Sequence, residues 1–285
     1  MASPEDEPRP DAEREDDSLE PTRTERAKGA VVMLHGFPDT PAGWRATDRA
    51  LSAAGFETHC PPLPGYTSES AACREPRTVQ QAAAGCVELL ESIRAPMRCF
   101  VGHDWGAAVA YCVASWRPDL VDRLIAVGAP HPRTFRISLR KAWSARHFQY
   151  LRWPGAEWWM RRADFRHVDA LYRRWSPTWN FGSEATADVK ECFRHPACLS
   201  AALDYYRQLQ PKLLAQQLRE KISVDTLICG GADDPNVDYD DYVHAGRMFT
   251  GTYEIVMLPG GHFPHRENET EFAQLMLRFL GEGAG

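Results

Sequence analysis

The chain has 285 residues, 44 % of them hydrophobic, which is enough for one large domain with an insertion or for two small domains. Its formal net charge is -6 and its pI is near 5.9, and no basic stripe is present, which argues against a nucleic-acid partner. No run of about 18 apolar residues is found, and the amino terminus lacks the apolar stretch of a secretory signal. We therefore expect a cytoplasmic protein with no membrane partner.

The 8 cysteines are scattered along the chain and form no CxxC pair. Most of them lie in segments with the pattern of buried strands or helices. This distribution is typical of reduced thiols in the core of a cytosolic protein. No motif indicates a metal site or an organic cofactor, so we predict neither.

Residues 1 to 28 differ in composition from everything that follows. They are rich in Pro, Asp, Glu and Arg and almost empty of large apolar side chains. Such a segment cannot bury enough surface to offset its loss of conformational entropy. We predict a disordered acidic tail that carries most of the net negative charge.

Short apolar runs alternate with amphipathic stretches from residue 30 onward. The runs AVVML (30–34), FETHC (56–60), MRCFV (97–101) and DRLIAV (122–127) have the pattern of strands buried on both faces. The stretches between them, WRATDRALSAAG, TVQQAAAGCVELLESI and WGAAVAYCVASWR, have helical spacing, and Gly55 ends the first. This alternation predicts a doubly wound, mostly parallel α/β sheet.

The alternation stops after Pro132. Residues 132–220 are rich in Trp, Arg, Tyr and Phe at helical spacing, and the sheet pattern returns with VDTLICGG (224–231) and YEIVML (253–258) and a closing helix near EFAQLMLRFL. We predict an α/β core at 29–131 and 221–285, with 132–220 as a helical cap over the carboxyl edge of the sheet, where such sheets bind ligands. We expect the cap aromatics to be buried. The alternative is a protein or membrane docking surface that includes Trp143, Trp153, Trp158, Trp159, Arg161 and Arg162.

The string VGHDWGAAVAY, residues 101–111, joins a buried strand to a helix of small residues through a sharp turn. This is the pattern of a nucleophile elbow, with Asp104 where GxSxG enzymes have serine. Gly102 and Gly106 are required because strand and helix approach closely, and the backbone N–H of Trp105 points to an oxyanion site. The alternative is that Asp104 only caps the helix.

An aspartate in this position predicts a particular chemistry. A carboxylate is ionised at neutral pH and needs no base to attack, so it can displace a leaving group at saturated carbon and form an alkyl ester. A base is needed only afterwards, to activate the water that cleaves the ester.

The strings HGFPDT, GHDWGA, GADDP and GGHFPHRE, in this order, resemble the epoxide hydrolases and haloalkane dehalogenases of the α/β-hydrolase superfamily. The resemblance covers residues from about 30 to 280 and implies an α/β-hydrolase fold. It implies that Asp104 is the nucleophile, that His262 activates water and that Asp234 is the acid that orients this histidine. Asp233 is the alternative acid, and His265 is a neighbour without this role.

The resemblance also implies an oxyanion donor at the backbone N–H of Phe37, in a loop held rigid by Pro38. The family begins with an antiparallel hairpin, and residues 1 to 28 are too charged and proline-rich to form it. The sheet edge is therefore expected to be shortened and exposed. A homodimer through this edge is a hypothesis.

Leaving-group stabilisation separates the two branches of the family. Epoxide hydrolases use cap phenols, and ALDYYRQLQ resembles the stretch that supplies one of them, at Tyr206. The position of the second phenol holds His147, with Tyr150 three residues later, so the second donor is His147, Tyr150 or neither. Phe37 stands where many dehalogenases have asparagine. The resemblance implies hydrolysis of a small apolar epoxide to a diol; the alternatives are a haloalkane dehalogenase or a non-catalytic protein that binds a small ligand.

Overall fold

The computed structural model describes residues 27–73, 77–134 and 139–281. Its sheet has six strands in the order β2-β1-β3-β4-β5-β6, and each neighbouring pair is parallel. The predicted strands are confirmed, with ends that shift by one or two residues. Their bounds are β1 Ala30–Leu34, β2 Glu57–His59, β3 Arg98–His103, β4 Arg123–Val127, β5 Asp225–Gly231 and β6 Tyr253–Leu258.

Burial of both sheet faces explains the continuous apolar runs. All five residues of β1 are buried, and the side chains of β3 and β4 beyond their first residues are buried as well. The register pairs Leu34 with Gly102 and His103 with Val127. The ends of β1, β3 and β4 therefore meet at one edge of the sheet.

The core helices that precede the cap are α1 Arg45–Ala53, α2 Ser68–Ala72, α3 Val79–Ser92 and α4 Trp105–Trp116. Gly55 has φ +91, a left-handed conformation that favours glycine, and it follows α1 as predicted. Helix α2 was not predicted from the sequence. It is one short turn that begins with a capping box between Thr67 and Ser70.

Six α-helices and no strand lie between β4 and β5 in the part of this segment that the structure describes, and we call these helices the cap. Helix α7 includes a non-helical segment from Arg162 to Phe165. The cap helices are α5 Leu139–Ser144, α6 His147–Leu151, α7 Ala156–Trp175, α8 Glu184–Arg194, α9 Pro196–Arg207 and α10 Pro211–Gln217. The helices that follow are α11 Tyr239–Ala245, α12 Pro264–Glu267 and α13 Glu269–Gly281.

Helices cover both faces of the sheet. Val31, Cys99 and Ile125 pack in one cluster with residues of α1 and α13, such as Leu51 and Phe272. Residues of β1, β3 and β4 that point the other way pack with α3, α4 and the cap. Helices α3 and α4 and the sheet therefore pack closely around the turn between β3 and α4.

The expectation that the cap aromatics are buried is wrong for three tryptophans. The exposed fractions of Trp143, Trp153 and Trp158 are 70 %, 52 % and 60 %. In α7 the inward positions belong to Ala156 and Met160, so Trp158 lies on the outer side. An apolar residue type alone did not identify which helix face is buried.

The predicted acidic tail and the hairpin that would precede β1 lie outside the described residues, apart from Ala27 and Lys28. All eight cysteines are described and are free thiols, and five of them are buried. Among the described residues, no helix combines the length and apolar character that crossing a bilayer requires.

Candidate active site

Asp104 lies between β3 and α4 with φ 52 and ψ -112, a conformation that residues other than glycine rarely adopt. Its side chain makes no capping hydrogen bond to α4. The alternative that Asp104 only caps this helix is therefore not supported by the geometry. The turn instead directs the carboxylate away from the helix, toward the loop after β1.

Glycines allow the close approach that this turn requires. A Cβ atom added at Gly106 would lie 2.1 Å from the carbonyl oxygen of Leu34, and one added at Gly102 would lie 2.2 Å from the carbonyl oxygen of Gly106. Both neighbours are backbone atoms that cannot rotate away. At Gly36 an added Cβ would lie 2.4 Å from the Cβ of Asp104. The loop after β1 therefore lies directly against Asp104.

The two oxygens of Asp104 have different partners. The backbone N–H of Phe37 donates to Oδ1 at 2.9 Å. Oδ2 lies 3.6 Å from Nε2 of His262. Nδ1 of His262 is 2.8 Å from Oδ2 of Asp234, which is buried. The structure thus brings Asp104, His262 and Asp234 together, whereas the exposed Asp233 lies near Thr178.

The cap positions the backbone of His262, which the sequence did not predict. The N–H of His262 donates to the carbonyl of Trp175 at 2.9 Å and to Oγ of Ser176 at 3.0 Å. Ser176 in turn donates to Glu267 at 2.6 Å, and Glu267 also accepts from the N–H of Gly261. The carboxyl end of α7 and the loop after β6 therefore form one hydrogen-bonded unit.

A second layer of buried polar groups lies behind His262. Nε2 of His103 donates to the carbonyl of His262 at 2.9 Å. Among the described residues, Asp39, His103 and His265 form the one group with the spacing of a metal site. Arg266 already pairs with Asp39 at 3.0 Å, and its charge would oppose a divalent ion there. We therefore interpret this group as support for the loops that carry Phe37 and His262.

The charges of the site favour an ion pair between a protonated His262 and an ionised Asp104. Burial opposes a charged His262, but the carboxylates of Asp234 and Asp104 raise its pKa to about 10. Burial also opposes a charged Asp104, yet the hydrogen bond and charge of His262 hold the pKa of this carboxyl below its ordinary value. The carboxyl of Asp104 is therefore ionised at neutral pH.

Protonation of His262 is expected to be linked to folding. Its pKa is 6.5 in a free side chain and about 10 in the folded protein, so the resulting stability is present below about pH 6.5 and is lost as the pH rises through 10. The melting temperature of the wild type should therefore fall more steeply between about pH 7 and 10 than that of His262→Gln. The melting temperatures are measured by circular dichroism at a series of pH values. If the melting temperatures of the two proteins change with pH in the same way, the raised pKa of His262 is contradicted.

Tyr206 of α9 is buried near Asp104. Its ring contacts those of Phe37 and Trp105, with centroids 5.0 and 5.2 Å away. Burial and the nearby carboxylate of Asp104 raise the pKa of Tyr206 well above its ordinary value, so the phenol keeps its proton. The indole N–H of Trp105 approaches this hydroxyl without reaching hydrogen-bonding geometry. Tyr205, by contrast, donates to the carbonyl of Pro64.

His147 of α6 lies beside Tyr206, with ring centroids 5.9 Å apart. Its Nδ1 is 3.1 Å from the carbonyl of Ser144, so this nitrogen carries the proton because a carbonyl can only accept. Burial lowers the pKa of His147 to about 4. The imidazole is therefore neutral at pH 7, and its Nε2 is an acceptor rather than a donor.

Tyr150 is half-buried on the same short helix. Its oxygen accepts a hydrogen bond of 2.7 Å from Arg174, and its ring packs on Trp159. A phenol oxygen that accepts from a guanidinium still has its own proton to donate. Tyr150 is therefore chemically suited to donate where His147 is not.

The comparisons with known proteins agree with this architecture. The model of the alpha/beta hydrolase family matches residues 31–275. The chain is 27 % identical over 262 residues to the AB hydrolase superfamily protein YfhM of Bacillus subtilis, covering 88 % of this chain and 89 % of that protein. It is 25 % identical over 290 residues to epoxide hydrolase A of Mycobacterium tuberculosis, covering 88 % and 89 % of the two chains.

A solved structure provides the comparison of folds. An epoxide hydrolase from Bacillus megaterium, in its M145A mutant form, aligns with a TM-score of 0.73 and 22 % identity, covering 90 % of this chain and 94 % of the other. Identity at this level supports the fold alone. The family match extends from β1 into α13, so it includes Asp104 and the two residues that contact its carboxylate, Phe37 and His262. The chain is a hydrolase and belongs to the alpha/beta hydrolase family.

Proposed function

We propose that this protein hydrolyses an epoxide to a vicinal diol through a covalent ester on Asp104. The observation that carries the proposal is the arrangement of an ionised carboxylate with Phe37 on one oxygen and His262 facing the other. Relatives named epoxide hydrolase, which match most of the chain, support this reaction class.

The two steps can be assigned to atoms. Oδ2 of Asp104 attacks one epoxide carbon, the C–O bond breaks, and Tyr206 gives its proton to the departing oxygen. With the charge of Asp104 removed, His262 passes its own proton to the phenolate of Tyr206. The neutral His262 then removes a proton from water, and the resulting hydroxide attacks Cγ of the ester. The N–H of Phe37 stabilises the negative charge that forms on Oδ1. Collapse releases the diol, which takes the water-derived proton from His262, and the proton of the restored carboxyl passes to His262, so that the ion pair forms again.

Esterification itself switches His262 into a base. The charge of Asp104 contributes to the high pKa of His262, and the ester is neutral. Formation of the ester therefore lowers the affinity of His262 for its proton at the moment when a base is needed. Asp234 keeps its charge and continues to hold the imidazole through Nδ1.

We assign the ring-opening proton to Tyr206 and give His147 a different role. A neutral His147 with its proton on Nδ1 can accept a hydrogen bond at Nε2, either from a substrate hydroxyl or from a water. Tyr150 is the candidate for a second donor, because Arg174 stabilises the negative charge that builds up on its oxygen.

Replacing Tyr206 with phenylalanine is expected to lower kcat/KM for an epoxide by about 100-fold, because the leaving oxygen loses its proton donor. The control is Tyr205→Phe, which removes a hydrogen bond to Pro64 and should cost about 1 kcal/mol of stability with little effect on rate. The measurement is the steady-state rate of diol formation, and the Tyr150→Phe variant is assayed in the same way. Equal rates for Tyr206→Phe and Tyr205→Phe would remove Tyr206 from the mechanism.

A dehalogenase is the second candidate, and two indoles favour it. Nε1 of Trp105 and Nε1 of Trp175 are both buried without a hydrogen-bond partner among the described residues. Trp105 follows the nucleophile, and the ring of Trp175 is 5.4 Å from that of His262. Two indole N–H groups without a partner, one on the residue after Asp104 and one on a ring beside His262, suit a departing halide ion.

One assay distinguishes the two reactions. A mixed panel of aryl and alkyl epoxides and bromoalkanes is incubated with the protein, and diol and bromide are measured in the same tubes. We expect diol without bromide. Bromide without diol would replace the proposal with the dehalogenase, and the absence of both products would reject the two reactions together for this panel.

A further inference from the structure

Three exposed indoles set the outer side of the cap apart from the rest of the described surface. Only six large hydrophobic side chains are strongly exposed in the described residues, and three of these are Trp143, Trp153 and Trp158. We call these three residues the cap indole surface. A soluble domain rarely leaves this much indole in water without a partner.

The three indoles belong to one short stretch of chain. Helix α6 has five residues and is about 7 Å long. Arg146 precedes this helix and Arg152 follows it. The ring of Trp153 lies against the backbone of Gly155, directly before α7, and Trp158 is in the first turn of that helix. The inward positions of α6 and α7, such as Leu151 and Met160, are buried, so the cap indole surface faces away from the core.

This part of the cap is strongly basic in an acidic chain. Residues 133 to 174 contain eleven Lys and Arg but three Asp and Glu, whereas the whole chain has a net charge of -6. Each of the three acids pairs with a cation outside this stretch: Glu157 with Arg207, Asp164 with Arg194 and Asp169 with Lys190. Cations therefore outnumber acids in this stretch, and among its described cations Lys141 pairs with Asp241 of α11.

Arginines and indoles are interleaved on this surface. The guanidinium of Arg146 lies 4.4 Å from the ring centroid of Trp143, and that of Arg162 lies 4.6 Å from the ring centroid of Trp158. Among the described residues, no ion pair engages Arg152, Arg162 or Arg166. Indoles that prefer the border between water and hydrocarbon thus stand beside cations that attract phosphate groups.

We propose that the cap indole surface, with its surrounding arginines, binds the face of an anionic lipid bilayer. The indoles insert at the level of the lipid headgroups while the arginines contact the phosphates. A second copy of the chain fits less well, because a symmetric contact through this surface would place like charges against each other. The binding is to the membrane face and requires no spanning helix.

Vesicle co-sedimentation tests this proposal without any substrate, so its result is independent of the proposed reaction. The full chain is mixed with vesicles of phosphatidylglycerol and phosphatidylcholine, or of phosphatidylcholine alone. We expect binding to the anionic vesicles, a blue shift of indole fluorescence and release by high salt. The test variant changes the three tryptophans of the cap indole surface to serine. The matched control changes the other three exposed apolar residues to serine, namely Leu213, Tyr239 and Val243.

The indole variant should bind anionic vesicles at least tenfold more weakly than the control. A variant with Arg146, Arg152 and Arg162 changed to glutamine should lose on the order of 100-fold. Circular dichroism confirms that each variant folds. Equal binding by the indole and control variants, or no binding by the wild type, overturns the proposal. A dimer in sedimentation velocity that the indole variant abolishes, without lipid binding, assigns the surface to a second copy instead.

Discussion

Replacing His262 with glutamine is expected to stop turnover while leaving the first chemical step intact. The N–H of Phe37 still stabilises the carboxylate of Asp104, which can therefore still open an epoxide, but no group remains to activate the water that cleaves the ester. We expect kcat to fall by on the order of 10³-fold or more. Mass spectrometry of the intact protein should show an added mass equal to one substrate.

The matched control is Asp104→Asn, which keeps the shape of the side chain and removes the nucleophilic charge. This variant should show neither turnover nor an adduct. Digestion of the His262→Gln adduct should locate the added mass on the peptide that contains Asp104. If no adduct accumulates with a substrate that the wild type turns over, covalent catalysis through Asp104 is wrong.

Adding one methyl group at Gly106 is expected to destabilise the protein by more than about 4 kcal/mol. The new Cβ would lie 2.1 Å from the carbonyl oxygen of Leu34, so either β1 or α4 must move, and both carry parts of the site. The measurement is the free energy of unfolding from chemical denaturation. A value within about 1 kcal/mol of the wild type would contradict the close packing of strand and helix.

Gly85→Ala is the control for this substitution. Gly85 lies in the interior of α3, and nothing stands within 4 Å of the position of its added Cβ. Alanine favours a helix over glycine, so this variant should be more stable than the wild type by about 0.5–1 kcal/mol. The same chemical change therefore has opposite signs at the two positions.

The strands could be predicted because a parallel sheet covered on both faces needs short apolar runs. Their ends were harder to place. Strand β3 continues through Gly102 and His103, beyond the predicted end at residue 101, because these residues pair with Ala126 and Val127 of β4. Neither residue is strongly apolar. Pairing with a neighbouring strand, which the local sequence does not encode, sets this boundary.

The sequence predicts that the principal site residues lie together, because the ends of parallel strands meet at one edge of the sheet. It does not identify Ser176, which lies 86 positions from His262 along the chain. The hydroxyl of Ser176 accepts a hydrogen bond from the backbone N–H of His262. A serine after a helix has no local feature that distinguishes this role. The sequence also does not predict which ring nitrogen of His147 carries the proton, because this depends on the hydrogen bond to the carbonyl of Ser144.

Neighbouring tryptophans show the limit of pattern reasoning in the cap. Trp158 is exposed, whereas Trp159 is half-buried and stacks on His167. Both stand in an amphipathic helix with apolar or aromatic residues on several sides. Only the packing of α7 on the other helices decides which indole faces water.

The hydrogen bonds from His262 to Trp175 and Ser176 limit how freely evolution or an engineer can exchange the cap. A chimaera that replaces residues 132–220 with the cap of a relative also replaces the groups that hold the backbone of His262. Such a graft needs a hydroxyl at the end of its long helix that reaches both the retained Glu267 and the N–H of His262, or the loop that carries the imidazole loses this support. The cap and the position of His262 are therefore inherited together in this protein, rather than as separable modules.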